Sequence, residues 1–376
     1  RVPVTPIQVT NAFSNNPEDR KFQDVGFDGL TDEEEQFKFK SFVDKGPAYG
    51  MEARSFDGNN LAECYSELTN AAAYAREQGK PILLEANTFR IRGHEEASGT
   101  KYYPEGMIDT AMSDEPMVKI LHEPDRYATD EKSLQLAMEK AKARVDEAFH
   151  AALALDGPSY NAAESTSDLF AAVPALPENA TGGSREMRLI DAIHDGLKES
   201  LALWPELVYM GQDIGPYGGV FKATEGLADL FGSNRVRNTP LCESAIVGAS
   251  LGWSIAGGKA MMEMQFSDFV TTGFNQIVNN LAKLHWRWGQ AVDVVVRMPT
   301  GAGVAAGPFH SQSTEAWFTH VPGLKVVYPA FPGEAKGLLM ASFNEPNPVL
   351  FNELRKYLSH FIWNWEDYLQ KNKLDF

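Results

Sequence analysis

Hydrophobic and polar positions recur along this chain with helical and strand spacings, and the regularity increases towards its second half. In "GNNLAECYSELTNAAAYAREQGK" (58–80), Leu61, Cys64, Tyr65 and Leu68 stand at i, i+3, i+4 and i+7. That spacing predicts a helix with those four on its buried face, capped by Asn59 or Asn60 and stopped at Gly79. "PILLEANTF" (81–89) opens with a nearly continuous apolar run, as a strand covered on both faces requires. A charged amphipathic helix is expected over 131–154, and the Ala-, Pro-, Ser- and Gly-rich stretch 155–184 reads as a linker. Beyond it come a helix (186–203), a strand (207–214), the glycine-rich loop "GPYGGVFKATEG" and a helix containing Glu243. A strand (259–266), a long helix (268–287), strands at 292–299 and 325–330, a helix (332–343) and a strand (348–353) follow. Strands alternating with helices predict a parallel α/β sheet with helices on both faces. Residues 15–47 are polar without periodicity and read as a surface loop or mobile segment, and the aromatic, charged stretch 356–376 fits no pattern.

The chain has 376 residues, enough for two or three domains, and a formal charge of −17. A nucleic-acid binder would carry a basic footprint, so nucleic acid is not an expected partner; a basic protein segment is compatible. Cys64 and Cys242 lie far apart with no CxxC spacing, which suggests neither a disulfide framework nor a zinc site and fits a reducing, cytoplasmic setting. No signal peptide opens the chain, and no apolar run approaches the roughly 18 residues of a membrane helix, so no membrane association is expected.

Candidate chemistry begins with "NTPLCESAIVGASLGW" (238–253), where Glu243 stands beside Ile246, Val247 and Ala249 at a helix start. Either it complements the positive end of the helix dipole or it is a buried acid with a chemical role. "GASLG" (248–252) matches the G-x-S-x-G nucleophile elbow of serine hydrolases, and Asp268, Asp293, His310 and His320 follow in a permissible order. The elbow needs its serine at a sharp strand-to-helix turn. Pro240 marks a helix start several residues earlier, and Ile246, Ala249, Ser250 and Trp253 continue one helical face, which favours close helix packing instead. In "RIRGHEEASG" (90–99) no histidine follows His94 at the metalloprotease spacing. His94 nevertheless lies just after a buried strand, with Arg90 and Arg92 suited to a phosphate. "GAGVAAGPFHSQSTEAWFTHVPGL" (301–324) is built of small residues up to His310, which is either a functional group or a hydrogen-bonded one. Phe266 and Phe269 sit at a strand–helix junction, as core residues or as a wall for a planar ligand.

The long run from "MGQDIGPYGGVFKATEGLADLFGSNRVRNTPLCESAIVGASLGW" through "MEMQFSDFVTTGFNQIVN" to "GPFHSQSTEAWFTHVPGLKVVYPAFPGEAKGLL" closely resembles the beta subunit of the thiamine diphosphate-dependent decarboxylating component of 2-oxoacid dehydrogenase complexes. "PILLEANTFRIRGHEEASGTKYYP" resembles the second half of its alpha subunit. Both in this order resemble the fused alpha–beta, branched-chain (2-oxoisovalerate) form, over roughly residues 48–355. The resemblance implies the thiamine diphosphate-binding fold, with a partial diphosphate-binding domain over 1–154, a linker over 155–184 and a pyrimidine-binding domain over 185–355. It implies oxidative decarboxylation of a 2-oxoacid, branched-chain or pyruvate, and acyl transfer to the lipoylated dihydrolipoyl acyltransferase core. Glu243 corresponds to the buried glutamate that hydrogen-bonds the cofactor's aminopyrimidine ring and thereby activates the thiazolium carbon; a buried acid shares its proton better than a solvated one. Phe269 corresponds to the ring stacked on the aminopyrimidine, and Leu241 and Gln265 to pocket-lining residues. His310 matches the histidine needed for reductive acylation, His94 the histidine near the diphosphate, and Arg90 a diphosphate-side arginine. Ser342, Glu345 and Asn347 match a segment that often holds a potassium ion. Family assembly implies at least a homodimer, with the cofactor between domains of different copies.

Departures accompany these matches. No Gly-Asp-Gly motif ending in Asn-Asn, the family's Mg2+ and diphosphate ligand set, occurs in the chain; "DGNN" (57–60) corresponds to a later segment. The magnesium ligands are therefore expected outside this sequence, which reads as beginning within the diphosphate-binding domain and ending before the beta subunit's last domain. The loop after His94 lacks the Ser-Asp-Asp run of the mitochondrial enzymes, so kinase control there is not expected. A non-catalytic assembly role stands as the alternative to an enzyme.

Overall fold

A computed structural model describes residues 8–11, 41–93, 97, 99–101, 103–127, 129–157, 159–175, 186–302 and 306–354. The expectations for 15–40, for His94 and for the tail 356–376 lie outside the described residues. Contacts divide the chain into two units, Arg1–Gly157 and Pro158–Phe376.

The first unit holds strands β1 (Gln8–Asn11), β2 (Glu52–Asp57) and β3 (Ile82–Thr88), all parallel in the order β1-β3-β2. Helix α1 (Leu61–Gln78) joins β2 to β3. Its first turn is capped by the Asn60 side chain, which accepts from the Glu63 N–H, and it stops at Gly79, where φ is 62°. The expected buried face is corrected here: Leu61, Tyr65 and Leu68 are exposed. The helix instead turns Cys64, Ala71 and Tyr74 towards Phe56, Ile82 and Leu84 of the sheet. Cys64 and Ala71 let the first half of that face lie close to the strands, and Tyr74 fills the space towards its end. Helix α2 (Glu131–Leu153) begins as expected, with Asp130 accepting from the Ser133 N–H. Its apolar residues Val145, Phe149 and Leu153 are exposed.

The second unit is built on six parallel strands: β4 (Leu207–Gly211), β5 (Val236–Asn238), β6 (Lys259–Glu263), β7 (Val294–Thr300), β8 (Lys325–Val327) and β9 (Val349–Leu354). Their order is β5-β4-β6-β7-β9-β8. Successive residues face opposite sides, and two cores result. Leu207, Tyr209, Met261, Val295 and Phe351 pack with helices α3 (Leu189–Leu203) and α7 (Pro332–Asn344), through Ile193, Leu197, Leu339 and Phe343. Met210, Met262, Val294, Val296 and Leu350 pack on the other side with α4 (Glu243–Ile255), α5 (Val270–Asn275) and α6 (Ala282–Trp288), through Ile246, Val247, Val270 and Ala282. The parallel sheet with helices on both faces is thus present as expected.

Two differences bear on the site. The expected strands 207–214 and 259–266 leave the ladder at Gly211 and Glu263, so Gln212–Ile214 and Met264–Phe266 are free to build the loops beyond. The expected helix 268–287 opens as a 3-10 turn (Ser267–Phe269) and passes through a π turn (Gln276–Leu281) between α5 and α6. Part of the expected linker belongs to this unit. Asn347 Oδ1 accepts from the Ala171 N–H at 2.7 Å, and Asn344 donates to the Pro174 carbonyl at 2.9 Å.

Candidate active site

The site lies at the carboxyl-terminal edge of the six-stranded sheet, where loops from parallel strands converge. Glu243 occupies the first turn of α4, where the helix dipole favours a carboxylate. It is half-buried, not enclosed. Gln212, buried just beyond β4, donates to its Oε1 at 3.2 Å, and the Thr272 hydroxyl of α5 lies 3.3 Å from its Oε2. The same hydroxyl donates to the Phe269 carbonyl at 2.8 Å, which ties the carboxylate's surroundings to the aromatic wall. That wall is a cluster of rings. Phe266 and Phe269 stand edge-to-face with centroids 5.6 Å apart, and the His310 imidazole meets them at 5.0 and 5.4 Å. Gln265 donates to Asp213 at 3.1 Å, and Asp213 itself holds the left-handed conformation, φ 59°. Leu241, ahead of Glu243, is 78% exposed. Beneath the pocket, Arg297 of β7 lies between Glu263 of β6 and Glu353 of β9 and pairs with both, all three buried. One guanidinium facing two carboxylates leaves a negative charge over. Burial accordingly pushes the Glu353 carboxyl up to about 7, against the pull of Arg297 and with the help of Glu263.

Five candidate residues, Leu241, Glu243, Gln265, Phe269 and His310, thus come from loops at this one edge of the second unit. Arg90 is in the first unit, where it lines a cavity of about 300 Å³ with Asn59, Thr88, Phe89, Arg92 and Glu115. His94 lies outside the described residues. Ser342, Glu345 and Asn347 are at the opposite, amino-terminal edge of the sheet. Ser342 donates to the Leu338 carbonyl, and Glu345 accepts from Asn347 and from the Lys325 ammonium, the latter at 2.5 Å. All three side chains are engaged by protein partners, with the Lys325 ammonium beside Glu345. Ser250 lies within α4, fully buried, and donates to the Ile246 carbonyl at 2.9 Å. A serine held this way is no nucleophile elbow. Gln212, Thr272 and the Arg297 group escaped the sequence reading. The acids and the arginine had a signal, since Glu263 and Arg297 interrupt otherwise apolar strands.

Residues 185–359 match the family described as "Transketolase, pyrimidine binding domain", and residues 27–158 match "Dehydrogenase E1 component". Among curated relatives, 2-oxoisovalerate dehydrogenase subunit beta 2, mitochondrial, of Arabidopsis thaliana is 46% identical over 179 residues, 47% of this chain and 50% of the relative. The 2-oxoisovalerate dehydrogenase subunit beta of Bacillus subtilis is 45% identical, over 45% of this chain and 53% of its own. The pyruvate dehydrogenase E1 component subunit beta of Leifsonia xyli is 39% identical, over 45% of this chain and 51% of its own. The chain thus joins a stretch similar to the dehydrogenase E1 component to a transketolase-type pyrimidine-binding stretch. Its alpha-like and beta-like parts are fused in the order expected, and the thiamine diphosphate-binding fold is that of its second unit. The chain spans about half the length of the curated relatives it matches. The second unit's ring cluster and Glu243 fall within the pyrimidine-binding match, and Arg90 within the dehydrogenase match.

Proposed function

We propose that the protein carrying this chain decarboxylates a 2-oxoacid, branched-chain in preference to pyruvate, and passes the acyl group to a lipoyl domain of an acyltransferase core. The observation that carries this reading is the convergence of Glu243, Phe269 and His310 on one sheet edge. A half-buried carboxylate beside an aromatic wall, open on the Leu241 side, fits a planar ring that offers a nitrogen to an acid. Thiamine diphosphate, when bound, supplies the electron sink that decarboxylation of a 2-oxoacid requires. The chain's own residues then divide the work. Glu243 would face the aminopyrimidine nitrogen, its carboxyl group oriented by Gln212 and Thr272. Phe269 would lie against the ring, Leu241 and Gln265 would line it, and His310 would supply a proton to the lipoyl sulfur. Arg90 and His94 serve the diphosphate. Among the described residues no group of three His, Cys, Asp or Glu is placed to hold a metal. The two cysteines are free, which suits a cytoplasmic setting.

Glu243→Gln is the test. It keeps the size and the hydrogen bonds to Gln212 and Thr272 within reach while removing the acid, and carbon dioxide release from 2-oxoisovalerate or pyruvate should fall by about a hundredfold or more. Near-normal turnover of both substrates by this variant sinks the assignment. A non-catalytic assembly role is the alternative reading. Calorimetric titration of the chain with thiamine diphosphate and Mg2+ separates the two, micromolar binding arguing against the assembly role.

A further inference from the structure

Asp268 follows Ser267 in the 3-10 turn that carries Phe269, and it is buried, at 6% exposure. A buried carboxylate needs donors, and this one has two from a distant part of the chain. The backbone N–H groups of Ser311 and Gln312 both donate to its Oδ1, each at 3.0 Å. Two N–H bonds to one charged oxygen are stronger than neutral pairs and hold the peptide in one orientation. The neighbouring residue adds a second tie, since the Ser267 hydroxyl lies 3.1 Å from the Gln312 carbonyl and 2.9 Å from the Thr300 hydroxyl. Gly301 N–H donates to the same Gln312 carbonyl at 2.8 Å. His310 immediately precedes this clamped dipeptide, at the end of a short 3-10 turn, Pro308–His310, that has no side-chain cap of its own. Its placement against Phe266 and Phe269 therefore depends on what holds Ser311 and Gln312.

We propose that Asp268 is the positioning residue for His310, fixing the imidazole against the ring cluster by clamping the two peptide N–H groups that follow it. Asp268 touches no reacting group in this assignment and acts through the loop. The consequence for reaction rests on the function proposed above, in which His310 serves acyl transfer and not carbon dioxide release. Displacement of a reacting group by about 1 Å can cost on the order of a hundredfold in rate. Asp268→Ala removes both bonds. Asp268→Asn keeps a side-chain carbonyl that can accept from the same two donors and should rescue most of the loss.

Two readouts decide the matter on the full-length protein. Hydrogen exchange at Ser311 and Gln312 should rise by about tenfold or more in Asp268→Ala, with the sheet amides unchanged, and return towards the wild-type rate in Asp268→Asn. Acyl transfer to a lipoylated domain should fall by about tenfold or more in Asp268→Ala, while decarboxylation read with an artificial electron acceptor stays within about threefold. Unchanged exchange at these two amides overturns the proposal whatever the activities do. Equal loss in both half-reactions, or none in either with the loop released, overturns it as well. If the wild-type protein turns over no 2-oxoacid, the functional reading fails while the exchange measurement still decides the clamp. Should Asp268→Ala not fold, Asp268→Asn and Ser267→Ala are measured instead. A smaller rise in exchange at Gln312 is expected of Ser267→Ala, with none in Asp268→Asn, and an unchanged rate in Ser267→Ala counts against the clamp.

Discussion

Glu263, Arg297 and Glu353 show how much a single side chain can decide. Removing the cation from such a group strands two buried carboxylates, and Arg297→Met should cost about 3–5 kcal/mol in denaturant unfolding. Glu353 yields a pH prediction with a definite sign. Its folded-state pKa, about 7, lies above the usual 4.5, so the folded protein holds a proton that the unfolded chain releases between those values. The stability tied to that proton is fully present below about 4.5 and is lost as pH rises through 7. Glu353→Gln keeps the shape and removes the titration, so its unfolding midpoint relative to wild type should improve between pH 5 and pH 8. A constant difference across that range would show that Glu353 does not carry the proton. Residues of this kind were only half legible in sequence. A glutamate or arginine inside an apolar strand can be seen, but which charges meet across β6, β7 and β9 depends on strand order.

At the scale of elements, the glycine-rich loop 215–226 is held by its own backbone. Gly219 N–H donates to the Asp213 carbonyl, Thr224 N–H to the Gly218 carbonyl, and the Thr224 hydroxyl to the Ile214 carbonyl at 2.7 Å. Gly218 adopts φ 82°, and a Cβ there would stand 2.7 Å from the Glu225 Cα. Gly218→Ala should therefore cost roughly 1–3 kcal/mol and shift the neighbouring Asp213–Gln265 contact, seen as a lowered melting temperature and a changed crystal position of Gln265. The glycines were visible as a loop signal, whereas the ends of the flanking strands were not. Past the last paired residues Gly211 and Glu263, Gln212, Ile214 and Met264 are still buried, so burial continues where strand pairing stops. The face of α1 was also misread. Of the four residues on the expected face only Cys64 packs on the sheet, joined by Ala71 and Tyr74 from the next turns.

For the molecule as a whole, one surface combines features that a solvent-facing helix would not need. Ala245, Ala249, Gly252 and Trp253 of α4 are exposed, although the helix also buries Ile246, Val247 and Ser250 against the sheet. Leu241 stands exposed just ahead of the same helix, beside Glu243. Small residues let a second backbone approach closely, and the apolar area around them gains from leaving water. A symmetric pair of copies would use this surface twice and screen Glu243 from solvent, which its half-buried setting in one chain does not achieve. The net charge of −17 opposes association through the rest of the surface, so an apolar patch is where two copies of this chain would meet at least electrostatic cost. Ala249→Arg places a bulky charge in the middle of that patch without touching the core of its own unit. In sedimentation of the full-length protein at micromolar concentration, wild type should run as a dimer or larger and Ala249→Arg as a monomer with an unchanged circular dichroism spectrum. Decarboxylation should disappear with the dimer, because the open side of the Glu243 pocket is then left to water. A wild-type protein that is monomeric and active under those conditions would place the complete site within one chain.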